Sequence, residues 1–186
     1  MFGGGPYEPR YSQNGDLFFV TSPLGDKFSI YDAATNKAST VRLPSSKEFP
    51  LQVTPSVGGD VISLSLNGPK LSRLYAFSRA DWKWYPQDIK EPVTGAVSPI
   101  LASSGGCYYA QGRTIYAFGA GAKRWTILDL PQDAPAPPRM GSTLDSIFVE
   151  YDGHIYKFSD KSGEWKHIDL RALIDAAIKS AEDGVR

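Results

Sequence analysis

The sequence is poor in the residues that build disulfides, metal sites and charged interfaces. Its 186 residues include one cysteine and two histidines, and 20 basic residues balance 20 acidic ones. One cysteine excludes an intramolecular disulfide and a cysteine-based zinc site, and two histidines cannot form a three-histidine metal site. A net charge of zero argues against general affinity for nucleic acid or anionic membranes, which requires surplus lysine and arginine. We therefore expect no metal and no other cofactor.

The chain also lacks a recognisable signal peptide and any apolar run near the roughly 20 residues that cross a bilayer. The opening segment 1–6 is rich in glycine, which predicts a flexible terminus. Together with the lone Cys107, expected to be a buried and inert thiol, these features favour a cytoplasmic protein.

The sequence is rich in a repeated aromatic motif. In each full copy a tyrosine is followed nine residues later by a tryptophan; the pairs are Tyr75 and Trp84, Tyr116 and Trp125, Tyr156 and Trp165. A weaker copy begins at Tyr31, where Thr40 stands in place of the tryptophan. The tyrosines recur every 40 to 44 residues, a period that indicates a repeat architecture.

Each repeat divides into four short strands separated by turns, which predicts an antiparallel meander. One such meander cannot bury both of its faces, so the units must stack. The expected fold class is all-β: a β-propeller built of four-stranded antiparallel blades, four per chain, plus a C-terminal α-helix. The propeller is predicted to span 7–169, with blades at about 7–44, 50–88, 96–131 and 138–169. The repeated tyrosines and tryptophans are expected to pack between blades, since each buries roughly 150–250 Å².

The final segment, 170–186, has a helical pattern. Apolar residues fall at the spacing i, i+3, i+4, i+7, i+8, namely Leu170, Leu173, Ile174, Ala177 and Ile178. This spacing predicts an amphipathic helix. Such a helix covers an apolar surface, which belongs to its own blades, to a second copy or to further sequence.

Several motifs together resemble a kelch-type β-propeller repeat. They are Gly105-Gly106, Ile115-Tyr116-Ala117-Phe118, Trp125 and Leu130-Pro131. Segments 31–37 and 159–165 are similar to the link between the last two strands of such blades, and the second is also similar to the Asp-box turn of sialidase-like propellers. The resemblance implies a divergent kelch-like propeller. Three arrangements stay open: a closed four-bladed ring, an eight-bladed ring shared by two copies, and part of a longer propeller.

The candidate binding residues come from one face of the expected ring. In a propeller, the loop between the second and third strands lies on the same face as the crossover to the next blade. This rule groups basic and aromatic side chains, namely Lys70, Arg73, Arg113, Arg139, Tyr151 and His154. Such side chains bind acidic peptides or sugars. No catalytic residue is predicted, because no Gly-x-Ser-x-Gly elbow is present and the acidic residues Asp16, Asp60 and Asp145 recur in equivalent turns.

These features favour a non-enzymatic propeller that acts as a protein-interaction module or scaffold, with a protein as its partner. A carbohydrate-binding propeller is the first alternative, and a hydrolase whose site is completed by another chain or by further sequence is the second. Two routes to a homodimer are open, through the C-terminal helix or through a shared ring.

Overall fold

The structure is a computed structural model, and it describes residues 10–44, 52–67, 72–90, 101–102, 104–131 and 138–183. Within these residues the chain forms four sheets, called blades 1 to 4 in chain order, and a terminal helix. The predicted flexible segment 1–6 and the candidate residue Lys70 lie outside the described residues.

The blades contain four strands each. Blade 1 consists of β1 (Arg10–Asn14), β2 (Leu17–Thr21), β3 (Lys27–Asp32) and β4 (Lys37–Arg42). Blade 2 consists of β5 (Gln52–Gly58), β6 (Val61–Asn67), β7 (Ser72–Ser78) and β8 (Lys83–Asp88). Blade 3 consists of β9 (Leu101–Ala102), β10 (Gly106–Gln111), β11 (Thr114–Gly119) and β12 (Arg124–Asp129). Blade 4 consists of β13 (Arg139–Ser142), β14 (Ser146–Tyr151), β15 (His154–Ser159) and β16 (Glu164–Asp169).

Within each blade, neighbouring strands follow one another in the chain. Helix α1 (Leu170–Asp183) begins directly after the last strand. The predicted fold class, all-β with four-stranded antiparallel blades and a C-terminal α-helix, is confirmed. The chain divides into two compact units: unit 1 comprises residues 1–57 and 62–99, and unit 2 comprises residues 58–61 and 100–186.

In unit 1, one face of blade 1 packs on one face of blade 2. Phe28 of blade 1 meets the ring of Trp84 edge-on, with 6.1 Å between the ring centroids. The Trp84 indole Nε1 also donates a hydrogen bond to Ser39 Oγ at 3.0 Å. Arg79 of blade 2 pairs with the buried Asp32 of blade 1 at 3.0 Å. Apolar burial and a shielded ion pair therefore hold these two blades together.

In unit 2, blade 3 packs on blade 4 in the same order. Ala117 of blade 3 lies in one core cluster with Phe158 of blade 4, and Trp165 packs against that cluster. Thr126 Oγ1 of β12 donates a hydrogen bond to the Gly163 carbonyl of the following blade at 2.8 Å. Both units therefore place a small residue of the earlier blade, Ser39 or Thr126, beside the tryptophan-bearing sheet of the later blade.

Cross-strand register corrects the alignment of the first repeat. A phenylalanine one residue before the end of the third strand lies opposite the tryptophan of the fourth strand; these pairs are Phe77 with Trp84, Phe118 with Trp125 and Phe158 with Trp165. In blade 1 the corresponding pair is Tyr31 with Ala38. Tyr31 is therefore the counterpart of the phenylalanines, and the tryptophan position holds Ala38, not Thr40. A shift of two residues keeps a side chain on the same face of a strand, so sequence spacing did not reveal it.

Burial of the repeated aromatics follows this register. Tyr75 and Tyr116 are 4% and 0% exposed and lie in the core. The remaining repeated aromatic residues of blades 2 to 4 are half-buried, namely Tyr156, Trp84, Trp125 and Trp165. The core role predicted for Tyr31 is wrong, because its ring is 41% exposed on a face of blade 1 that is open to solvent. Cys107 is buried, as expected.

Candidate interaction surfaces

The described members of the predicted binding set belong to two different units of the chain. Arg73 belongs to unit 1, whereas Arg113, Arg139, Tyr151 and His154 belong to unit 2. The unit 2 residues lie near one edge of blades 3 and 4, where β10 turns into β11, β12 ends, β13 begins and β14 turns into β15. We call this the loop edge of unit 2.

Arg73 is engaged within its own blade. It lies in β7 directly opposite Asp88 of β8, and its guanidinium forms an ion pair with that carboxylate. The hydrogen bond to Asp88, followed by one that involves Tyr75, raises the pKa of Arg73 above its usual value. A charge-assisted cross-strand pair stabilises the sheet and leaves less of the cation available to a ligand.

Tyr151 is a packing residue of unit 2. Its ring is 3% exposed, and its hydroxyl donates a hydrogen bond to the Pro131 carbonyl at 2.8 Å. The bond joins the end of β14 to the chain that leaves β12. A ring buried in this way cannot present its face to a ligand, so burial corrects the placement of Tyr151 among surface contacts.

Arg113 and Arg139 remain exposed at the loop edge of unit 2. Arg113 occupies the β10–β11 turn, where its backbone carbonyl accepts a hydrogen bond from Leu130 at 3.0 Å. Arg139 is the first residue of β13 and lies opposite Glu150 in the sheet. Of the described candidates, these two arginines are the ones whose side chains face solvent most fully.

His154 takes part in an aromatic stack that sequence reasoning missed. Its ring lies 4.9 Å from that of His167, and His167 lies 5.0 Å from Tyr156 in a stacked arrangement. The register explains the stack, because Tyr156 is opposite His167 and His154 is opposite Asp169. No cluster of three metal-ligating side chains was found among the described residues.

Asp169 connects this stack to α1. Its carboxylate accepts a hydrogen bond from the backbone N–H of Ala172 at 3.0 Å, which makes it the N-cap of the helix. That bond is the main reason that the pKa of Asp169 lies below its usual value, and the two histidines contribute. The Leu170 N–H donates to the Gly153 carbonyl at 3.3 Å, which fixes the first turn of the helix to the β14–β15 turn.

Beyond its first turn, α1 is exposed on every side. Residues 171–181 are all solvent-exposed, and three large apolar side chains are more than half exposed: Leu173 at 56%, Ile174 at 55% and Ile178 at 53%. No helix in the described part of the chain is long and apolar enough to cross a membrane. The helix therefore presents an uncovered apolar stripe, while its first turn is fixed to blade 4.

A second exposed apolar surface is the outer face of blade 1. Its side chains come from β2, β3 and β4 and comprise Phe18, Val20, Lys27, Ser29, Tyr31, Ala38, Thr40 and Arg42. Phe18 is 38% exposed, and its ring contacts Tyr31 at 6.2 Å between centroids. The corresponding rows of later blades are buried, as Cys107 with Phe118 and Ile147 with Phe158 show.

The outer face of blade 4 is the opposite face of the last sheet. It carries Phe148, Glu150, Ile155, Lys157, Lys166 and Ile168. Lys157 Nζ lies 5.6 Å from the centre of the Phe148 ring. Phe148, Ile155 and Ile168 are half-buried, and Glu150 and Lys166 are exposed. Apolar residues and long charged side chains alternate on this face.

Comparisons with known proteins identify no family. No family model matches the chain, and no curated protein matches it. Among solved structures, AztD from Citrobacter koseri is 12% identical, with 86% of this chain and 46% of that one covered and a TM-score of 0.43. The N-terminal domain of Nup159 is 14% identical, with 82% and 40% covered and a TM-score of 0.39.

The WD40 domain of SCAP from fission yeast is 12% identical, with 82% of this chain and 42% of that one covered and a TM-score of 0.35. The chain spans about half or less of the length of the structures it matches. At these identities and scores, the fold assignment rests on the strand order and register described above.

Proposed function

We propose that the chain is a non-enzymatic protein-interaction module that binds another protein through the apolar stripe of α1. The observation that carries this proposal is the exposure of Leu173, Ile174 and Ile178, each more than half open to solvent. Exposed large apolar side chains grouped on one stripe mark interaction sites in soluble proteins. The capped and hydrogen-bonded first turn sets the direction of the helix, which lowers the entropy lost on binding.

The composition of α1 indicates what kind of partner fits. Its 14 residues contain two basic and three acidic side chains. A helix that lies on an anionic membrane has a strongly basic polar face, which this helix lacks. An apolar stripe with i, i+3, i+4 anchors instead matches the helix-in-groove mode of recognition. The proposed partner is a protein with an apolar groove.

Arg113 and Arg139 add a second element to the proposal. Both are exposed at the loop edge, from which α1 starts. In this proposal the two arginines form ion pairs with carboxylates that flank the partner's groove. These ion pairs contribute mainly to the association rate and to specificity. The proposal also retains a divergent kelch-type character for the blades, supported by Gly105-Gly106 and by the recurring phenylalanine–tryptophan pairs.

The experiment that tests the function uses the full chain with a photo-reactive amino acid at position 173 in cells. A discrete cross-linked protein is identified, purified and titrated against the full chain by calorimetry. The double variant Ile174→Gln and Ile178→Gln is expected to bind it at least tenfold more weakly, since each buried isoleucine contributes roughly 1.5–3 kcal/mol.

Lys179→Gln is the matched control. Lys179 lies half a turn away from the apolar stripe, so its replacement is expected to leave the affinity within about twofold. Equal cross-linking from positions 173 and 179 would refute the proposal. A cross-link that joins only two copies of this chain would refute it as well.

A further inference from the structure

We propose that the outer face of blade 4 of one chain packs on the outer face of blade 1 of a second copy, in the register that joins blades inside each unit. This inference goes beyond the proposed function, because it uses sheet faces that α1 does not contribute.

The first observation is that the same contact between two blades occurs once in each unit, with equivalent faces used in the same chain order. In unit 1, Phe28 and Ile30 of blade 1 share a core with Tyr75 and Phe77 of blade 2. In unit 2, Ala117 of blade 3 shares a core with Phe158 of blade 4. In both cases the earlier blade offers one face, and the later blade offers the face with the aromatic row.

Within its own unit, neither outer face has a second blade packed on it among the described residues. The outer face of blade 1 corresponds to the face that the later blade of each unit contributes, which we call the later-blade half. On it, Tyr31 occupies the position of Phe77 and Phe158. The outer face of blade 4 corresponds to the face that the earlier blade of each unit contributes, which we call the earlier-blade half. On it, Lys157 occupies the position of Ile30 and Ala117. Because the two halves differ, a contact between copies is head-to-tail, and a dimer that closes contains two such contacts.

The side-chain volumes on the two outer faces compensate each other. In unit 1 a small residue meets a large one, since Ser39 accepts a hydrogen bond from Trp84. In unit 2 the small residue Thr126 donates a hydrogen bond to the Gly163 carbonyl, two residues before Trp165. On the outer faces both sizes are reversed. The earlier-blade half carries Lys166 in place of the small residue, and the later-blade half carries Ala38 in place of tryptophan.

The reversal produces a contact that fits lysine chemistry. In the repeated register, Lys166 enters the space left by Ala38, and Lys157 lies over Tyr31. The lysine stems cover apolar surface, and their ammonium groups lie near the exposed rings of Phe18 and Tyr31. Ser29 and Thr40, whose hydroxyls are hydrogen-bonded at 2.8 Å, lie opposite Ile155 and Ile168 and leave room for both isoleucines.

The available area suits a stable dimer. A blade of four strands about 4.8 Å apart, each about 20 Å long, has a face of roughly 400 Å². One contact therefore buries roughly 800 Å² in total, and the two contacts of a closed dimer bury roughly 1,600 Å². That value is typical of a specific, stable protein–protein interface.

The test measures the mass of the full chain by sedimentation velocity over a dilution series. The wild-type chain is expected to form a dimer or a larger head-to-tail assembly that dissociates on dilution. Ala38→Trp restores the ring found in the other blades, fills the space assigned to Lys166, and is expected to weaken assembly at least tenfold. Ala38 is exposed in the single chain, so this variant retains its far-ultraviolet dichroism.

The decisive variant combines Ala38→Trp with Lys166→Thr, which recreates the size pairing found inside the units. Assembly is expected to return, an outcome that simple loss of stability cannot produce. Lys157→Glu is a second disrupting variant that leaves β4 unchanged. Ala33→Trp adds the same ring to an exposed alanine of the β3–β4 turn and is the matched control, with assembly unchanged.

Three results would overturn the proposal. The first is a monomer at every concentration. The second is an assembly that survives both Ala38→Trp and Lys157→Glu. The third is an assembly lost only when Ile174 and Ile178 are replaced by glutamine, since that pattern would assign self-association to α1. The α1 variant also separates this proposal from the proposed function, which predicts weaker partner binding in that variant with assembly unchanged.

Discussion

Truncation of two residues at the same register position is expected to have very different effects on stability. Phe77 is fully buried, and its ring contacts Trp82 and Trp84 at centroid distances of 5.0 and 4.9 Å. Phe77→Ala removes these contacts and leaves a cavity, which costs about 3–5 kcal/mol of unfolding free energy. Tyr31→Ala removes an exposed ring and one hydrogen bond to Asn36 at 3.1 Å, and costs about 1 kcal/mol or less.

The assay is urea unfolding of both variants, followed by tryptophan fluorescence at a protein concentration where the chain is monomeric. Both positions belong to unit 1, so their midpoints report on the same part of the molecule. With unchanged slopes, the midpoints give the difference in free energy, which is expected to exceed about 2 kcal/mol. Losses that agree within about 0.5 kcal/mol would refute the exposed placement of Tyr31.

Three further predictions concern the loop edge and buried charge. Tyr151→Phe removes the hydrogen bond to Pro131 and is expected to lower the unfolding free energy by about 1 kcal/mol in urea, so an unchanged midpoint would contradict its anchoring role. The pKa of Asp169 is lowered in the folded chain, so its stabilisation of α1 is present above about pH 4 and is lost as the pH falls through the folded pKa. Asp169→Ala is therefore expected to reduce the helical far-ultraviolet signal at neutral pH and to abolish this pH dependence, and a wild-type acid profile in the variant would argue against the cap. Burial raises the pKa of Asp160, so its ionisation destabilises the fold as the pH rises through the folded pKa. Asp160→Asn is expected to raise the unfolding midpoint at neutral pH and not in acid, and a midpoint gain of equal size in acid would exclude ionisation as the cause.

The repeat and the strands were predictable because both depend on local patterns. Alternating apolar residues between Gly, Asn and Asp turns specify short antiparallel strands, and a period near 40 residues specifies their number. The helical spacing from Leu170 to Ile178 was equally clear, and α1 occupies that segment. Tyr31 was misaligned because a two-residue shift along a strand preserves the face, so only the pairing with Ala38 distinguishes the two alignments.

The side-chain environments were less predictable because they depend on residues distant in sequence. Arg73 is neutralised by Asp88 of the next strand, and Tyr151 is held by the Pro131 carbonyl 20 residues earlier. The histidine stack had a usable signal, since a tight turn after Tyr151 fixes the register of β14 and β15. Extending the same register from β15 to β16 places His154 near His167. The sequence prediction considered the histidines only as metal ligands and did not apply this register.

The central claim is that the outer face of blade 1 is an exposed aromatic surface, which a second copy covers. The most direct measurement is hydroxyl-radical footprinting of the full chain over a dilution series, with oxidation located by mass spectrometry. We expect Phe18 and Tyr31 to react readily in dilute solution and to become protected as the chain assembles, while Phe77 stays protected throughout. Protection of Phe18 and Tyr31 at every concentration, in a chain with the mass of a monomer, would contradict the account.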